Sequence, residues 1–445
     1  MNSDSTPSGI VVVGLGYVGL TLGVALAQRG FKVTGLEKRR EVVEMTNAGD
    51  PHFSETGLAK ALSNVLASGN FIACEELDPE LSADAYIITV GTPLVAGTTQ
   101  PRLDMIEQAS RQVASHMREG ACVILRSTVK LGTARNVVRP ILAESGKAFH
   151  LAMCPERTLE GAALQELSTL PQIVAGETEE AANRAASMFS RLTRAIVRVS
   201  DLETAEMIKL IDNTSRDVRF AFANEVARAC DAMGISAGEV IRAGKFEYPR
   251  TNVALPGLVG GPCLEKDPHI LMASLAHTGT SLEITSACRQ VNERQPRETV
   301  DAIVARMAER ATAPFRVAIA GIAFKGVPET DDLRGSMSLK VIESLMERPE
   351  IGEVVLYDGV VSREALDALG LGLRVEDSLA AACDGANALV IGNNHPEYAG
   401  LDLDGCCGAM ADGGFVYDYW AHLVERPPAD LQGRYFVVGN NAGRF

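Results

Sequence analysis

The chain has 445 residues, 46% of them apolar, and a formal net charge of −15. Its length exceeds the roughly 250–300 residues at which a single hydrophobic core stops growing, so two or three well-filled domains are expected. The acidic balance excludes an electrostatic nucleic-acid footprint, which needs clustered Lys and Arg, and leaves any anionic ligand to local donors. The opening Met1-Asn2-Ser3-Asp4-Ser5-Thr6 lacks the charged-then-apolar layout of a signal peptide, and no apolar run reaches membrane-spanning length. A soluble, cytoplasmic protein without membrane or nucleic-acid partners is expected. Nine cysteines, single apart from Cys406-Cys407, form neither a zinc-ligand pattern nor a secreted disulfide framework. No metal site is expected.

In chain order, Ile10-Val11-Val12-Val13 is a β-branched run that leads into Gly14-Leu15-Gly16-Tyr17-Val18-Gly19. A helix from about Tyr17 to Arg29 and a strand over Lys32–Glu37 follow, and this is the context a dinucleotide-binding glycine fingerprint requires. Further strands are predicted at 86–90, 121–125, 149–153 and 172–175. Strands alternating with helices predict an α/β fold with a parallel, doubly wound sheet. From Leu202 to Met233 there is neither proline nor glycine, and Met207, Ile208, Ile211, Val218, Phe222, Val226 and Cys230 recur at helical spacing. One long helix is predicted there, with a kink near Asn213-Thr214-Ser215 and a role in joining domains and building an oligomer face. After a mostly helical stretch to about Arg310, strands at 316–321, 354–358 and 388–392 predict a second, degenerate nucleotide-binding domain. The expected division is an NAD-binding domain over 1–200, a helical dimerisation domain over 201–310 and a second α/β domain over 311–445. The residues from Asn440 onward are expected to be mobile.

In the fingerprint, Gly14 permits the tight turn, Gly16 lets the backbone approach a pyrophosphate, and Gly19 allows helix to pack on strand, while the helix N-terminus at Tyr17 and Val18 supplies N–H donors. Glu37, closing the second strand, suits the ribose hydroxyls and repels a 2′-phosphate, so NAD is expected rather than NADP; Lys38, Arg39 and Arg40 soften that preference. Gly260-Gly261-Pro262-Cys263-Leu264-Glu265-Lys266-Asp267 suits a thiol nucleophile that meets its substrate closely, with Lys266 or Lys209 as the cation that favours a thiolate. A buried, inert cysteine is the plain alternative. Lys209 and Asn213 stand one helical turn apart and are placed to donate to an alkoxide or oxyanion, unless they merely form a solvated helix face. Thr128, just past one strand, and Glu156, just past another, lie where ligands bind in open α/β sheets and are candidates to position or activate a water.

These stretches together resemble the nucleotide-sugar 6-dehydrogenases over essentially the whole chain. The matching residues, in order, are Gly14 to Leu20, Val90-Gly91-Thr92-Pro93, Ser127-Thr128-Val129 with Gly132-Thr133, Pro155-Glu156 with Glu160-Gly161, Ala205-Glu206 through Lys209 to Asn213, Gly260 to Asp267, Gly321 to Lys325, and Asp331 to Arg334. The resemblance implies a four-electron oxidation of a sugar C6 alcohol to the carboxylate with two NAD⁺ per sugar, through a thiohemiacetal and a thioester on Cys263. It implies alkoxide- and water-handling roles for Lys209, Asn213 and Asp267, and assistance to hydrolysis by Glu156 and Thr128. It places Thr92, Thr128, Lys266 and Arg334 with the cofactor. Glu156, Arg157, Lys209, Asn213, Gly260, Phe324 and Lys325 go with the nucleotide sugar, as does Arg250, which reaches across a dimer interface. A homodimer or higher homo-oligomer is implied.

Glu156-Arg157 matches the N-acetylhexosamine branch, whereas Glu160-Gly161 and Lys266-Asp267 are closer to the UDP-glucose branch. Pro262 occupies a position that is often serine or histidine, and the loop from Lys325 to Arg334 is two residues longer than usual. The expected substrate is a UDP-N-acetylhexosamine, UDP-N-acetylglucosamine or UDP-N-acetylmannosamine, ahead of UDP-glucose and GDP-mannose. A single-step hydroxy-acid dehydrogenase has no need for Cys263 or a second α/β domain. A non-catalytic NAD-binding regulator has no need for Cys263, Lys209, Asp267 and Glu156 together.

Overall fold

The structure, a computed structural model, describes residues 9–443; the polar N-terminal segment and Arg444 and Phe445 lie outside them. The chain forms two compact units, residues 1–213 with 269–281, and residues 214–268 with 282–445.

The first unit is built on a sheet of eight strands: β1 (Gly9–Val13), β2 (Lys32–Leu36), β3 (Phe71–Cys74), β4 (Ala85–Ile88), β5 (Ala121–Leu125), β6 (Phe149–Met153), β7 (Gln172–Gly176) and β8 (Ile196–Arg198). Their order is β3-β2-β1-β4-β5-β6-β7-β8. Ile10 and Val12 enter one hydrophobic cluster while Val11 and Val13 enter another, so both faces of β1 are buried. A strand covered on both faces needs an unbroken apolar run, which is why this sequence lacks polar alternation here. The sheet departs from the all-parallel expectation at one place: β6 and β7 pair antiparallel, and β7 pairs parallel with β8. Strand and helix alternation sets the layers of a sheet but not the direction of strands added at its edge.

The second unit carries a fully parallel sheet of β9 (Phe315–Ala320), β10 (Ile351–Tyr357), β11 (Arg374–Val375), β12 (Ala388–Ile391), β13 (Phe415–Asp418) and β14 (Tyr435–Val437), in the order β11-β10-β9-β12-β13-β14. Relative to the chain this is the 3-2-1-4-5-6 order of a dinucleotide-binding sheet. Gly321, with φ +81°, follows β9 as Gly14, with φ +91°, follows β1. Asp358 closes β10 as Glu37 closes β2. The likeness ends there, because Asp358 accepts from four backbone amides, those of Ile322, Ala323, Val360 and Val361. A carboxylate so occupied is structural, and the second site is degenerate in that sense.

The long helix spans Leu202–Met233 and is helical throughout 213–215, where the sequence predicts a kink. The division between the units falls after Asn213. Helices Ala237–Lys245, Gly261–Leu264, Asp267–Leu275 and Glu283–Ala308 come next. Of the residues expected to be mobile, Asn440 is buried and Asn441 donates from its backbone and side chain to the Asp231 carboxylate at 2.7 and 2.8 Å, while Arg444 and Phe445 lie outside the described residues. Among the described residues no helix is long and apolar enough to cross a membrane, and no group of three or more His, Cys, Asp or Glu is arranged to hold a metal.

Candidate active site

In the first unit the fingerprint takes the shape a bound pyrophosphate needs. Gly14 has positive φ, and a Cβ on Gly19 would lie 1.8 Å from the Gly14 carbonyl oxygen, so both glycines are required by the backbone itself. A Cβ on Gly16 would meet nothing within 4 Å. The space beside Gly16 is therefore open, at the start of the helix Tyr17–Gln28 whose first N–H groups have no partner within the helix. Tyr17 stacks its ring on Phe53, with centroids 4.0 Å apart.

Glu37 accepts from the Leu15 amide at 3.0 Å and from the Arg39 amide at 3.1 Å. Burial raises its pKa, but hydrogen bonds from Arg39 and Leu15 outweigh that and hold the carboxyl below its ordinary range. The three cations that follow are each engaged: Lys38 with Gln108, Arg39 with Glu37 and Arg40 with Glu44. An ionised Glu37 at the strand end, with neighbouring cations already paired, fits the ribose of NAD and disfavours a 2′-phosphate.

Past β4, the Thr92 hydroxyl donates to the carbonyl of Thr128, which follows β5, at 2.5 Å, and Ser127 donates back to the Val90 carbonyl at 2.6 Å. Past β6, the Glu156 carboxylate is buried and accepts from Arg126 and from the amides of Arg157 and Thr158. Burial works to raise its pKa, but the Arg126 charge and those donors keep it low. Arg157 pairs with Asp212 at 3.0 Å, which ties this turn to the long helix. Lys209 and Asn213 are both buried on that helix, so the solvated-face alternative fails. Glu206, one turn before them, accepts from the amides of Gly132 at 2.5 Å and Ala134 at 2.8 Å.

In the second unit, Cys263 is half-buried on the short helix Gly261–Leu264. The glycine pair before it has a packing reason beyond substrate approach. Gly261 has φ +85° and donates to the Gly335 carbonyl at 2.7 Å, and a Cβ there would sit 2.5 Å from the Phe324 ring. A Cβ on Gly260 would meet the Gly335 oxygen at the same distance. Gly260, Cys263, Phe324 and the loop to Gly335 are thus brought together, with Lys325 Nζ 5.1 Å from the Phe324 ring centroid. Lys266 donates to the fully buried Asp267 at 2.8 Å. Arg334 forks onto the Asp332 carboxylate with Nε and Nη2. Arg250 is exposed, stacked 4.5 Å above the Tyr248 ring. A cavity of about 250 Å³ in this unit, lined by Asn224, Asp231, Gln295, Asn441 and others, contains none of the predicted site residues.

Three contributors escape sequence reasoning. Arg126 grips Glu156; Glu206 holds the 132–134 backbone; and Arg289, buried against Asp217, donates to the Leu264 carbonyl at 2.9 Å, directly after Cys263. Charged residues are almost never fully buried unless paired, and the one sequence sign is Glu206 within the Ala205-Glu206 stretch of the resemblance.

A dinucleotide-binding sheet with an acidic strand end, joined in one chain to a second sheet of like strand order and a cysteine following a tightly packed glycine pair, defines a nicotinamide-dependent oxidoreductase of the nucleotide-binding class. The chain belongs to the UDP-glucose/GDP-mannose dehydrogenase family, whose NAD binding domain matches residues 8–193, central domain 203–294 and UDP binding domain 318–425. It is an NAD-dependent nucleotide-sugar dehydrogenase. It is 33% identical, over 94% of its length and 96% of the relative's, to the UDP-N-acetyl-D-mannosamine dehydrogenase of Pyrococcus horikoshii. It is 32% identical to the NDP-N-acetyl-D-galactosaminuronic acid dehydrogenase of Ralstonia nicotianae, over 89% of this chain and 92% of that one. Among solved structures, the UDP-D-ManNAc dehydrogenase of Pyrococcus horikoshii aligns with a TM-score of 0.86 at 31% identity, covering 98% of this chain and 100% of that one. A UDP-glucose dehydrogenase from Pyrobaculum islandicum aligns with the same TM-score at 27% identity, covering 99% of each chain.

Proposed function

We propose that the chain oxidises the C6 hydroxymethyl group of UDP-N-acetyl-D-mannosamine to the uronate in two successive two-electron steps. The observation that carries this reading is similarity over most of the chain, at 30–33% identity, to several UDP-N-acetyl-D-mannosamine dehydrogenases. UDP-glucose is the second reading, favoured by the Pyrobaculum islandicum structure. When bound, NAD⁺ accepts one hydride in each oxidation, so two are consumed per sugar.

Lys209 and Asn213 are assigned to donate to the C6 oxygen as it develops negative charge, and their burial strengthens that interaction. The Cys263 thiolate adds to the aldehyde carbon and the former carbonyl oxygen takes a proton. Loss of that proton and of the second hydride leaves a thioester. Water then adds, the C–S bond breaks, and the thiol is restored with release of the carboxylate. Asp267 is assigned to the proton handling of these steps, and Thr128 and Glu156 to placing the hydrolytic water. Gly260, Phe324, Lys325 and Arg157 are assigned to the nucleotide sugar, and Thr92, Lys266 and Arg334 to the cofactor. Arg250 serves the substrate of a second copy in a homodimer. The predicted three-part division at about 200 and 310 is retained on this reading.

With excess NAD⁺ and limiting UDP-N-acetyl-D-mannosamine, two NADH per sugar are expected. One NADH per sugar would refute the thioester route, and two from UDP-glucose alone would reassign the substrate.

A further inference from the structure

Arg126 is, with Arg289, among the largest fully buried side chains described, and its polar and aromatic partners all come from the first unit. Its Nε and Nη2 donate to Glu156 Oε2 at 2.9 and 2.6 Å, its Nη1 to the Cys154 carbonyl at 3.1 Å, and its Nη2 also to Gln172 Oε1 at 3.0 Å. The Phe189 ring covers the guanidinium, 4.9 Å from its centroid. We infer that Arg126 is a positioning residue for the reaction, and that Glu156 works by fixing the turn 156–158 and not by taking a proton from water. This rests on the dehydrogenase reading above, in which Glu156 belongs to the water-handling side.

A carboxylate has about four acceptor positions. Oε2 of Glu156 uses two on Arg126, and Oε1 uses two on the amides of Arg157 at 2.7 Å and Thr158 at 2.9 Å. A proton acceptor must present a lone pair to the reacting water within hydrogen-bond reach, and all of these are occupied. The Arg126 charge and the two amide donors hold the Glu156 carboxyl below its ordinary range against burial, and the planar guanidinium fixes the direction of the fork. The fork reaches three pieces of machinery at once. Arg126 immediately precedes Ser127-Thr128, and the Thr128 carbonyl is held by Thr92. Glu156 shapes the turn from which Arg157 reaches Asp212, on the helix of Lys209 and Asn213.

The test compares wild type, Glu156→Gln, Arg126→Met, Arg126→Lys and the double variant Arg126→Met with Glu156→Gln, using the sugar that the wild type oxidises. The readouts are kcat, KM for NAD⁺, and acyl-Cys263 by intact mass during turnover. Each single neutralisation strands the other charge, so kcat is expected to fall at least about tenfold while KM for NAD⁺ stays near wild type. In the double variant the amide introduced at position 156 keeps its oxygen on the two backbone donors and turns its NH₂ to the Gln172 or Cys154 oxygen. The kcat of that variant is therefore expected to recover to within a few-fold of wild type. A folded double variant that stays as slow as Glu156→Gln and accumulates acyl-Cys263 overturns the inference, because the carboxylate itself would then be needed. If the double variant does not fold, Arg126→Lys decides: it keeps the charge without the planar fork, so a fall in kcat at constant KM supports the inference and wild-type kinetics overturn it. Two NADH per sugar from wild type sustain the dehydrogenase reading in either case, so failure of the rescue strikes Arg126 alone.

Discussion

Glu206 has 1% of its surface exposed, and burial pushes its pKa up to about 7 against the pull of the Ala134 and Gly132 amides that it accepts from. In the unfolded chain the group titrates near its ordinary value of 4.5. Between those values the folded state holds a proton that the unfolded state has released. Its contribution to stability is therefore fully present below about pH 4.5 and is lost as pH rises through 7, a difference of about 3 kcal/mol at most. In Glu206→Gln, which keeps an acceptor for one amide and cannot ionise, that decline should be missing from the stability-against-pH curve. An unchanged slope between pH 4.5 and 7 in this variant would show that Glu206 is not the group responsible. Residues of this kind are illegible in the sequence. Lys209 and Asn213 can be paired from their spacing alone, whereas Glu206, Arg126 and Arg289 acquire meaning only when tertiary packing buries them beside particular amides and carbonyls.

The two glycine turns make opposite predictions although both read as motif glycines. At Gly261 a methyl group meets the Phe324 ring at 2.5 Å and must sit at φ +85°, so Gly261→Ala should cost roughly 1–3 kcal/mol and displace the Cys263 segment. At Gly16 the added Cβ meets nothing within 4 Å and φ is an ordinary −69°. Gly16→Ala should leave thermal stability within about 0.5 kcal/mol and weaken NAD⁺ binding, because the methyl occupies the approach of the pyrophosphate. Calorimetric unfolding with NAD⁺ titration separates the two; a Gly16→Ala protein that binds NAD⁺ normally would remove that glycine from the cofactor site. Among the elements, the sequence is informative where strands are buried on both faces, as in β1, β5 and β12, since a short, continuous β-branched and apolar run suits a covered strand. It is silent for β11, with two residues, and for the partly exposed edge β8, where burial imposes little pattern. The antiparallel β6–β7 pair is likewise hidden, because nothing in strand and helix alternation encodes direction.

For the molecule as a whole, the long helix and the segment C-terminal to it leave apolar surface uncovered in the second unit. Phe222 is 54% exposed, Met233 75% and Phe246 78%. Phe222 and Met233 are about three helical turns apart and so lie on one face. Single exposed apolar residues are normal, but a stripe of them with Ile235 and Val240 close behind in the chain is not. The homodimer proposed above accounts for this face, and it predicts a concentration-dependent association that Phe222→Glu combined with Met233→Glu abolishes. Sedimentation equilibrium reads it directly: wild type should run at twice the chain mass and the double variant at the chain mass. If Arg250 acts on the partner's substrate, activity should fall with the dimer. Mixing inactive Arg250→Ala and Cys263→Ala proteins should then restore up to about a quarter of wild-type kcat, since half the subunits pair as mixed dimers and each mixed dimer holds one intact site. A wild-type protein that stays at the chain mass at every concentration, or a mixture that never regains activity, would return Arg250 to the role its present contacts show, an exposed side chain stacked on Tyr248.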